Sequence, residues 1–309
     1  MTEVTSKRNS QQADLYPSRT GDKPHVIARL DPVVYGTAAE GPLDQSALDL
    51  YEENGFLHFE SMLSSKEIES CARELGQLRV DEALKNRPEV ILESEDRTIR
   101  SIFAVHEISD VMRSLCSHPK LVAIAEQLLG SEVYVHQSRI NYKGGLRGKG
   151  FYWHSDFETW HVEDGLASMR TVSCSISLTE NTPHNGALMI IPGSHHHFIA
   201  CAGETPKDHY KASLKRQDLG VPDDESLTRL VRDLGIVSPV GPIGSVTYFE
   251  CNVMHGSNSN ITPIPRSNLF IVYNSIHNKL VAPFCGLAPR PNFIAEREKF
   301  VSACRLSRF

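Results

Sequence analysis

Near residue 130 the hydrophobic period of this 309-residue chain changes from 3.6 to 2, and that switch limits what it can fold into. Before it, apolar residues recur at helical spacing. Leu48 and Tyr51 precede Gly55, a C-cap signal, and Ser64 with Glu67 forms a capping box ahead of Ile68, Cys71, Ala72, Leu75 and Leu78. Pro119 suits the first position of another helix, with Leu121, Ile124, Ala125 and Leu128 as its stripe and Gly130 as its stop. After the switch, 133–140, 171–178, 188–191, 245–249 and 269–273 read as strands. Residues 1–45 are polar, with four prolines, and read as a partly extended arm. The expectation is one α+β domain over 1–309, mainly helical across 46–130 and a sandwich or barrel across 131–309.

Three of these strands carry polar residues on one face. Gln137, Arg139, Asn141 and Lys143 share one side of their strand, and Arg266, Asn268, Phe270 and Val272 share one side of another. Ser173, Ser175 and Ser177 lie opposite Val172, Cys174, Ile176 and Leu178. An ordinary antiparallel sheet turns such a face to water. For the serines that reading stands level with a buried polar one. For the other two faces a cavity is the better reading, because Phe270 would be wasted on solvent. A jelly roll open at one end lines such a cavity.

Against this background His154-Ser155-Asp156, answered by His255 and then Arg266, carries chemistry. Two imidazoles and one carboxylate form a set that leaves positions open on a non-haem Fe(II) for oxygen chemistry. On an extended strand His154 and Asp156 face one way and Ser155 the other. A basic residue shortly after the distal histidine suits an enzyme that also holds a dicarboxylate, since the planar Arg fork meets a carboxylate bidentately. The reading is an Fe(II)- and 2-oxoglutarate-dependent oxygenase. His-x-Asp alone is a weak signal in a chain with 14 histidines. Its aromatic setting, Phe151-Tyr152-Trp153 before and Phe157 and Trp160 after, suits a water-restricted pocket better than a surface turn. His195-His196-His197 reads as a loop, because contiguous histidines cannot all face one ion from a strand. His161 breaks the strand phase and reads as a residue behind the site or in solvent.

Composition mostly excludes. Net charge is −6 with no basic stripe, against nucleic acid as a partner. No apolar run has the length of a membrane span, and the first twelve residues lack the apolar core of a secretory signal. Seven scattered cysteines without a C-x-x-C argue against a disulfide framework and for a reducing cytoplasm. The charged stretch 200–233 reads equally as a lid or as a solvated insertion.

The run from Phe151 to His161, with Glu163-Asp164-Gly165 after it, strongly resembles the signature of the ectoine hydroxylases, phytanoyl-CoA-hydroxylase-like members of the Fe(II)/2-oxoglutarate dioxygenases. So do the runs from Val135 to Asn141 and from Asn181 to Gly186, Pro265-Arg266-Ser267-Asn268, and Asp14 to Arg19 near the N-terminus. The resemblance spans nearly the whole chain. It departs at Leu166-Ala167-Ser168, where the family pattern has Met-Pro and a basic residue.

The resemblance implies a double-stranded β-helix (jelly-roll) enzyme, a cytoplasmic homodimer that converts ectoine to 5-hydroxyectoine. Its Fe(II) would be held by His154, Asp156 and His255, with 2-oxoglutarate and O2 as co-substrates. Arg266 would pair with the distal carboxylate of 2-oxoglutarate, helped by Asn141, Lys143 and Ser257. Ectoine would sit among Gln137, Trp160 and Asn268, with Phe103, Phe249 and Phe270 as apolar walls. Two other functions remain in view: an oxygenase of the same fold acting on another small polar molecule, such as a free amino acid, and a jelly roll that only binds metal or ligand.

Overall fold

In the computed structural model, which describes residues 13–21, 23–214 and 218–308, the change of period becomes a change from helices to sheet. The helices are α1 (Gln45–Asn54), α2 (Ser65–Val80), α3 (Val105–Ile108), α4 (Asp110–Cys116), α5 (Pro119–Leu129), α6 (Asp156–Thr159), α7 (Tyr210–Ser213) and α8 (Asp224–Leu234). A π-helical turn, Trp160–Asp164, continues α6. The strands are β1 (His25–Ala28), β2 (Phe56–Phe59), β3 (Val90–Leu92), β4 (Ile99–Phe103), β5 (Val133–Lys143), β6 (Phe151–His154), β7 (Thr171–Ser177), β8 (Leu188–Ile190), β9 (His197–Ala200), β10 (Val246–Glu250), β11 (His255–Ser257) and β12 (Arg266–Ser275).

The helix signals act as their chemistry requires. Gly55 ends α1 in the left-handed region at φ 76°, and Gly130 ends α5 at φ 58°. Ser64 and Glu67 cap α2 reciprocally. Of the α2 stripe, Cys71 and Leu78 are buried, but Ala72 is exposed and lies off the packed face. The 46–130 region also holds three strands that its helical periodicity hid: β2, β3 and β4 are short and extend the main sheet at its two edges.

That sheet has seven antiparallel strands in the order β2-β10-β7-β12-β5-β4-β3, and a second sheet has the order β6-β11-β8. Together they form the jelly-roll core. On the outer face of the large sheet, Val172, Cys174, Ile176, Leu269 and Ile271 join Leu121, Ile124 and Leu128 of α5 in the main apolar cluster. Burying one such side chain contributes about 1.5–3 kcal/mol, more than a helix cap at about 1 kcal/mol. Packing against the sheet, not capping, therefore holds α5. Ser173, Ser175 and Ser177 point the other way and are buried too, which removes the solvent reading of that face.

The N-terminal arm is bound down along the part described, from residue 13 onward with residue 22 outside the described residues. Tyr16 is fully buried, edge-on to Phe157 at 5.3 Å and to Phe198 at 5.4 Å. Its hydroxyl donates to Asp31 Oδ2 at 2.8 Å and accepts from the Leu30 and Asp31 amides. β1 then pairs with β9. The first twelve residues, in which no secretory core was expected, lie outside the described residues. All seven cysteines are free, and among the described residues no helix is long and apolar enough to cross a membrane.

Two buried histidines and a half-buried one, away from His154, Asp156 and His255, make stability depend on acid. Burial lowers His136 and His195 to about 3 and His106 to about 4. Below about pH 6.5 the unfolded chain binds protons there that the folded chain refuses, so stability is complete above that pH and is lost as pH falls toward these values. The Tm of the metal-free protein, followed by circular dichroism, should fall steadily from pH 7 to pH 5. His136→Gln should flatten that slope, and a level Tm across this range would contradict the account.

Candidate active site

Strand pairing brings the two histidines of the motif together. β11 lies between β6 and β8, and its register sets His255 opposite His154, with ring centroids 4.3 Å apart. Each ring is oriented by nearby backbone. Nδ1 of His154 donates to Tyr152 O at 2.7 Å, and Nδ1 of His255 donates to Val253 O at 3.0 Å. A carbonyl only accepts, so Nδ1 carries the proton and Nε2 presents its lone pair.

Asp156 arrives by a different route from the one expected. β6 stops at His154, and Asp156 is the first residue of α6, not a strand residue. Ser155 between them is extended, at φ −100° and ψ 129°, and caps α6. The alternation therefore runs one residue past the strand, and the carboxylate still faces His154. Asp156 Oδ1 is 3.6 Å from His154 Nε2, and Oδ2 is 3.8 Å from His255 Nε2. Both are too long for hydrogen bonds. The three ligand atoms lie within 4.8 Å of one another, the arrangement that a 2-His-1-carboxylate site needs. Burial pushes the Asp156 carboxyl up, but His255, His154 and Arg139 outweigh it and hold it well below the usual range. Burial, then His154, lower His255 to about 4. At neutral pH the carboxylate is ionised and His255 neutral, as metal ligands must be.

These atoms open into a partly open cavity of about 30 Å³ between the two sheets. One wall is a cross-strand ladder of β5 and β12. Gln137 pairs with Val272, Arg139 with Phe270, Asn141 with Asn268, and Lys143 with Arg266. Gln137, Arg139, Asn141, Arg266, Phe270 and Val272 line the space, and Phe249, Ser257, Phe151 and Ser173 close other sides. Ser173 Oγ donates to Asp156 Oδ2 at 3.3 Å. Phe151 and Ser257 also border an outer cleft of about 970 Å³. Asp218, Val221, Pro222 and Asp224 of the 200–233 stretch wall part of that cleft. Residues 215–217 of the stretch lie outside the described residues.

The polar groups of the wall differ in how well they are satisfied. Arg266 is buried, and its Nε and Nη1 lack partners. Burial, then Arg139, lower it to about 10. Arg139 lays its guanidinium over Phe270 at 5.1 Å and over Phe103 and Phe151 at 5.8 Å, with Nε unpartnered. Lys143 stands beside the lining, donating Nζ to Ser257 Oγ at 2.8 Å and to Asn258 O at 2.6 Å. Burial, then Arg266 and Arg100, lower it to about 6. Asn268 donates Nδ2 to Ser175 Oγ at 2.9 Å and leaves its buried Oδ1 unpaired. Gln137 donates Nε2 to Ile294 O at 2.6 Å.

Three expected substrate contacts stand outside the lining: Asn268, whose Nδ2 is turned to Ser175 Oγ, and two aromatic residues. Trp160 packs in the cluster of Tyr16, Phe157 and Val272, with its ring edge-on to His136 at 5.4 Å. Phe103 lies beneath Arg139, edge-on to Phe293 at 6.4 Å. Trp160 and Phe103 are set one layer back by elements that alternation could not locate, the π-helical turn and the short strand β4. Sequence reasoning gave no role to Ser173, and held Arg139 only as a fallback, with Lys143, for anchoring the 2-oxoglutarate carboxylate. The phase it shares with Gln137 and Asn141 was the available signal. His161 is fully buried between Leu166 O and Asp14 Oδ1, each at 2.8 Å, which removes its solvent reading. His195 sits in a 3-10 turn with Nε2 at 3.0 Å from Glu52 O, and His197 begins β9.

The phytanoyl-CoA dioxygenase (PhyH) family matches residues 51–268, a span that includes His154, Asp156, His255 and Arg266. Ectoine dioxygenases of Stutzerimonas stutzeri (strain A1501) and Bordetella bronchiseptica are 49% and 52% identical to this chain, over 94% of it and 96% and 95% of their own lengths. The chain belongs to the ectoine dioxygenases. The ectoine dioxygenase of Streptomyces coelicolor is 51% identical over 92% of this chain and 95% of its own. The crystal structure of EctD from S. alaskensis with 2-oxoglutarate and 5-hydroxyectoine matches with a TM-score of 0.86 at 44% identity, covering 94% of this chain and 98% of that one. The carbocyclase SnoK from nogalamycin biosynthesis, at 22% identity and a TM-score of 0.57, covers 77% of this chain and 86% of its own and shares the fold.

Asp156→Ala removes the one anionic group of the triplet, and Fe(II) binding and turnover should both be lost while the melt stays cooperative. His195→Ala and His197→Ala should keep their iron, as measured by metal content after gel filtration. Iron lost from either histidine variant, or retained by Asp156→Ala, would mean that other residues hold the metal.

Proposed function

We propose that this ectoine dioxygenase hydroxylates ectoine to 5-hydroxyectoine, using Fe(II), 2-oxoglutarate and O2 and releasing succinate and CO2. The observation that carries the reading is the convergence of His154, Asp156 and His255 beside a buried, partly unpaired Arg266, in a chain about half identical to ectoine dioxygenases. The donor set suits Fe(II): two neutral imidazoles with free Nε2 lone pairs and one ionised carboxylate. When bound, the ion supplies the activation of dioxygen and the oxidative chemistry, and the protein supplies positions.

The chain's own residues divide the remaining work. The open Nε and Nη1 of Arg266 suit the distal carboxylate of 2-oxoglutarate, which meets a guanidinium bidentately. Lys143 orients Ser257 and gains its proton readily when an anion arrives, and Asn141 completes that end. Ectoine, a ring with a delocalised amidinium and a carboxylate, fits the other polar groups. Asn268 Oδ1 accepts from an amidinium N–H, Gln137 offers its amide, Arg139 faces the carboxylate, and Phe249 and Phe270 flank the ring. Trp160 and Phe103 back these contacts from one layer behind. Burial keeps water from the reacting groups and strengthens every polar contact inside. The 200–233 stretch, bordering the outer cleft, serves as the lid over this entrance.

The same reading places the enzyme in the cytoplasm as a homodimer, serving compatible-solute synthesis under osmotic and heat stress. Seven free cysteines fit a reducing compartment. The deciding experiment is anaerobic reconstitution with Fe(II), then exposure to oxygen with 2-oxoglutarate and ectoine, with product mass measured. Hydroxylated ectoine is expected. Turnover with a free amino acid but not with ectoine would reject the substrate.

Arg266→Ala should raise the 2-oxoglutarate requirement, since losing one partner of a buried charge pair costs roughly 2–5 kcal/mol. An unchanged requirement would move the anchor to Arg139 or Lys143. Changing Gln137, Trp160 or Asn268 to Ala should instead leave iron and 2-oxoglutarate bound while succinate forms without matching hydroxyectoine. A shift of about one ångström at a reacting atom can cost on the order of a hundredfold in rate. Early melting with loss of every ligand in all three variants would make these residues structural.

A further inference from the structure

The Asp14–Arg19 run that opens the family resemblance has no part in the chemistry above, yet Arg19 is among the most heavily bonded side chains near the site. Its guanidinium is buried against two equally buried carboxylates. Nε and Nη2 grip Glu158 bidentately at 2.9 and 2.6 Å, and Nη1 meets Glu163 at 2.6 Å. Ser18 Oγ adds a bond to Glu158 at 2.7 Å. The backbone is held as deliberately: Arg19 sits at φ 55°, a region costly for a side-chain-bearing residue, with its amide bonded to Cys201 O. The 200–233 stretch closes over the same group. His209 Nδ1 is 2.7 Å from Glu163 Oε1, and a Cβ on Gly220 would fall 2.3 Å from Glu158 Oε2 and 2.4 Å from Arg19 Nη2.

Both carboxylates belong to the segment that starts at Asp156. Glu158 lies in α6, two residues after Asp156, and Glu163 lies in the π-helical turn that begins at Trp160. On a regular α-helix, residues five apart point about 140° away from each other. When the chain bonds i to i+5, they come round to one side. One guanidinium can therefore hold both Glu158 and Glu163 only while the π register is kept. Without a cation the two buried carboxylates would repel, and the register would lose its reason. On the other side Arg290 grips Asp164 through Nε and Nη2, so the turn is held from both ends of the chain.

We propose that Arg19 is a positioning residue for the hydroxylation: by bridging Glu158 and Glu163 it fixes the register of the 156–164 segment, and with it the aim of Asp156 and the seat of Trp160. This rests on the reading of Asp156 as a ligand and of the cavity as the ectoine site. A residue that acts through a ligand's support changes metal affinity or activity by about 10- to 100-fold.

The test uses the full-length protein and three readouts: Fe(II) affinity by anaerobic titration, amide hydrogen exchange across 156–166 in the metal-free protein, and the succinate-to-hydroxyectoine ratio. Arg19→Lys keeps the charge and loses the fork. It should melt cooperatively yet bind Fe(II) at least about tenfold more weakly, exchange faster across 156–166, and form excess succinate. A triple variant, Arg19→Gln with Glu158→Gln and Glu163→Gln, removes the buried charges together and carries the same expectation if the lysine variant melts early. Wild-type affinity, exchange and product ratio in the variant that folds would overturn the proposal, as would activity that falls only in step with Tm. Affinity and exchange need no ectoine, so a wild-type enzyme inactive on ectoine would reject the substrate reading and leave these two readouts to decide the role of Arg19.

Discussion

The structure depends on a sheet that is buried on both faces and must sort its side chains between them. β5, β7 and β12 turn one set of residues to the helices and the alternate set to the cavity, so one slip in register would exchange them. Cys174 and Ile176 would then face the metal ligands, and Ser173 and Ser175 would face α5. The ladder of Lys143 on Arg266, Asn141 on Asn268 and Arg139 on Phe270 makes such a slip costly, because each polar group would lose a partner or a cavity. The chemical site is in this sense the polar half of the same alternation that builds the core.

That coupling explains what could be read from the sequence. Long strands with a two-residue period and capped helices with a clean stripe announce themselves locally, and β5, β7, β12, α2 and α5 all did. The triplet that the structure brings together was legible because two near neighbours in sequence and one distant histidine formed a set with a chemical meaning. Of the elements of three to five residues, β8 and β10 could be read from their apolar runs, but β2, β3, β4 and β11 could not: they owe their form to the strands beside them, and a period needs length to appear. The π-helical turn was hidden for a different reason. Its register is set by a guanidinium 139 residues away from Glu158, and no local pattern encodes that. Trp160 was therefore given to the cavity, whereas the turn carries it into the cluster beneath the arm.

The cavity is also unbalanced in charge. Arg139 and Arg266 line it and Lys143 stands beside it, against the single carboxylate of Asp156 among the lining residues. Burial lowers the pKa of all three cations, so the protein holds them at a cost that an anion entering the space would relieve. A space of this sign attracts carboxylates and repels simple cations other than one chelated at the triplet. Two carboxylate-bearing molecules suit such a field better than one, which agrees with a reaction that consumes a dicarboxylate along with a zwitterion.

The imidazoles of His154 and His255 are each turned by a backbone carbonyl, and Asp156 receives Ser173 Oγ. None of these three bonds involves the ion. Strand pairing and the helices behind the sheet hold the backbone that makes them. A change that turned either carbonyl or removed Ser173 Oγ would therefore weaken the site without touching a ligand.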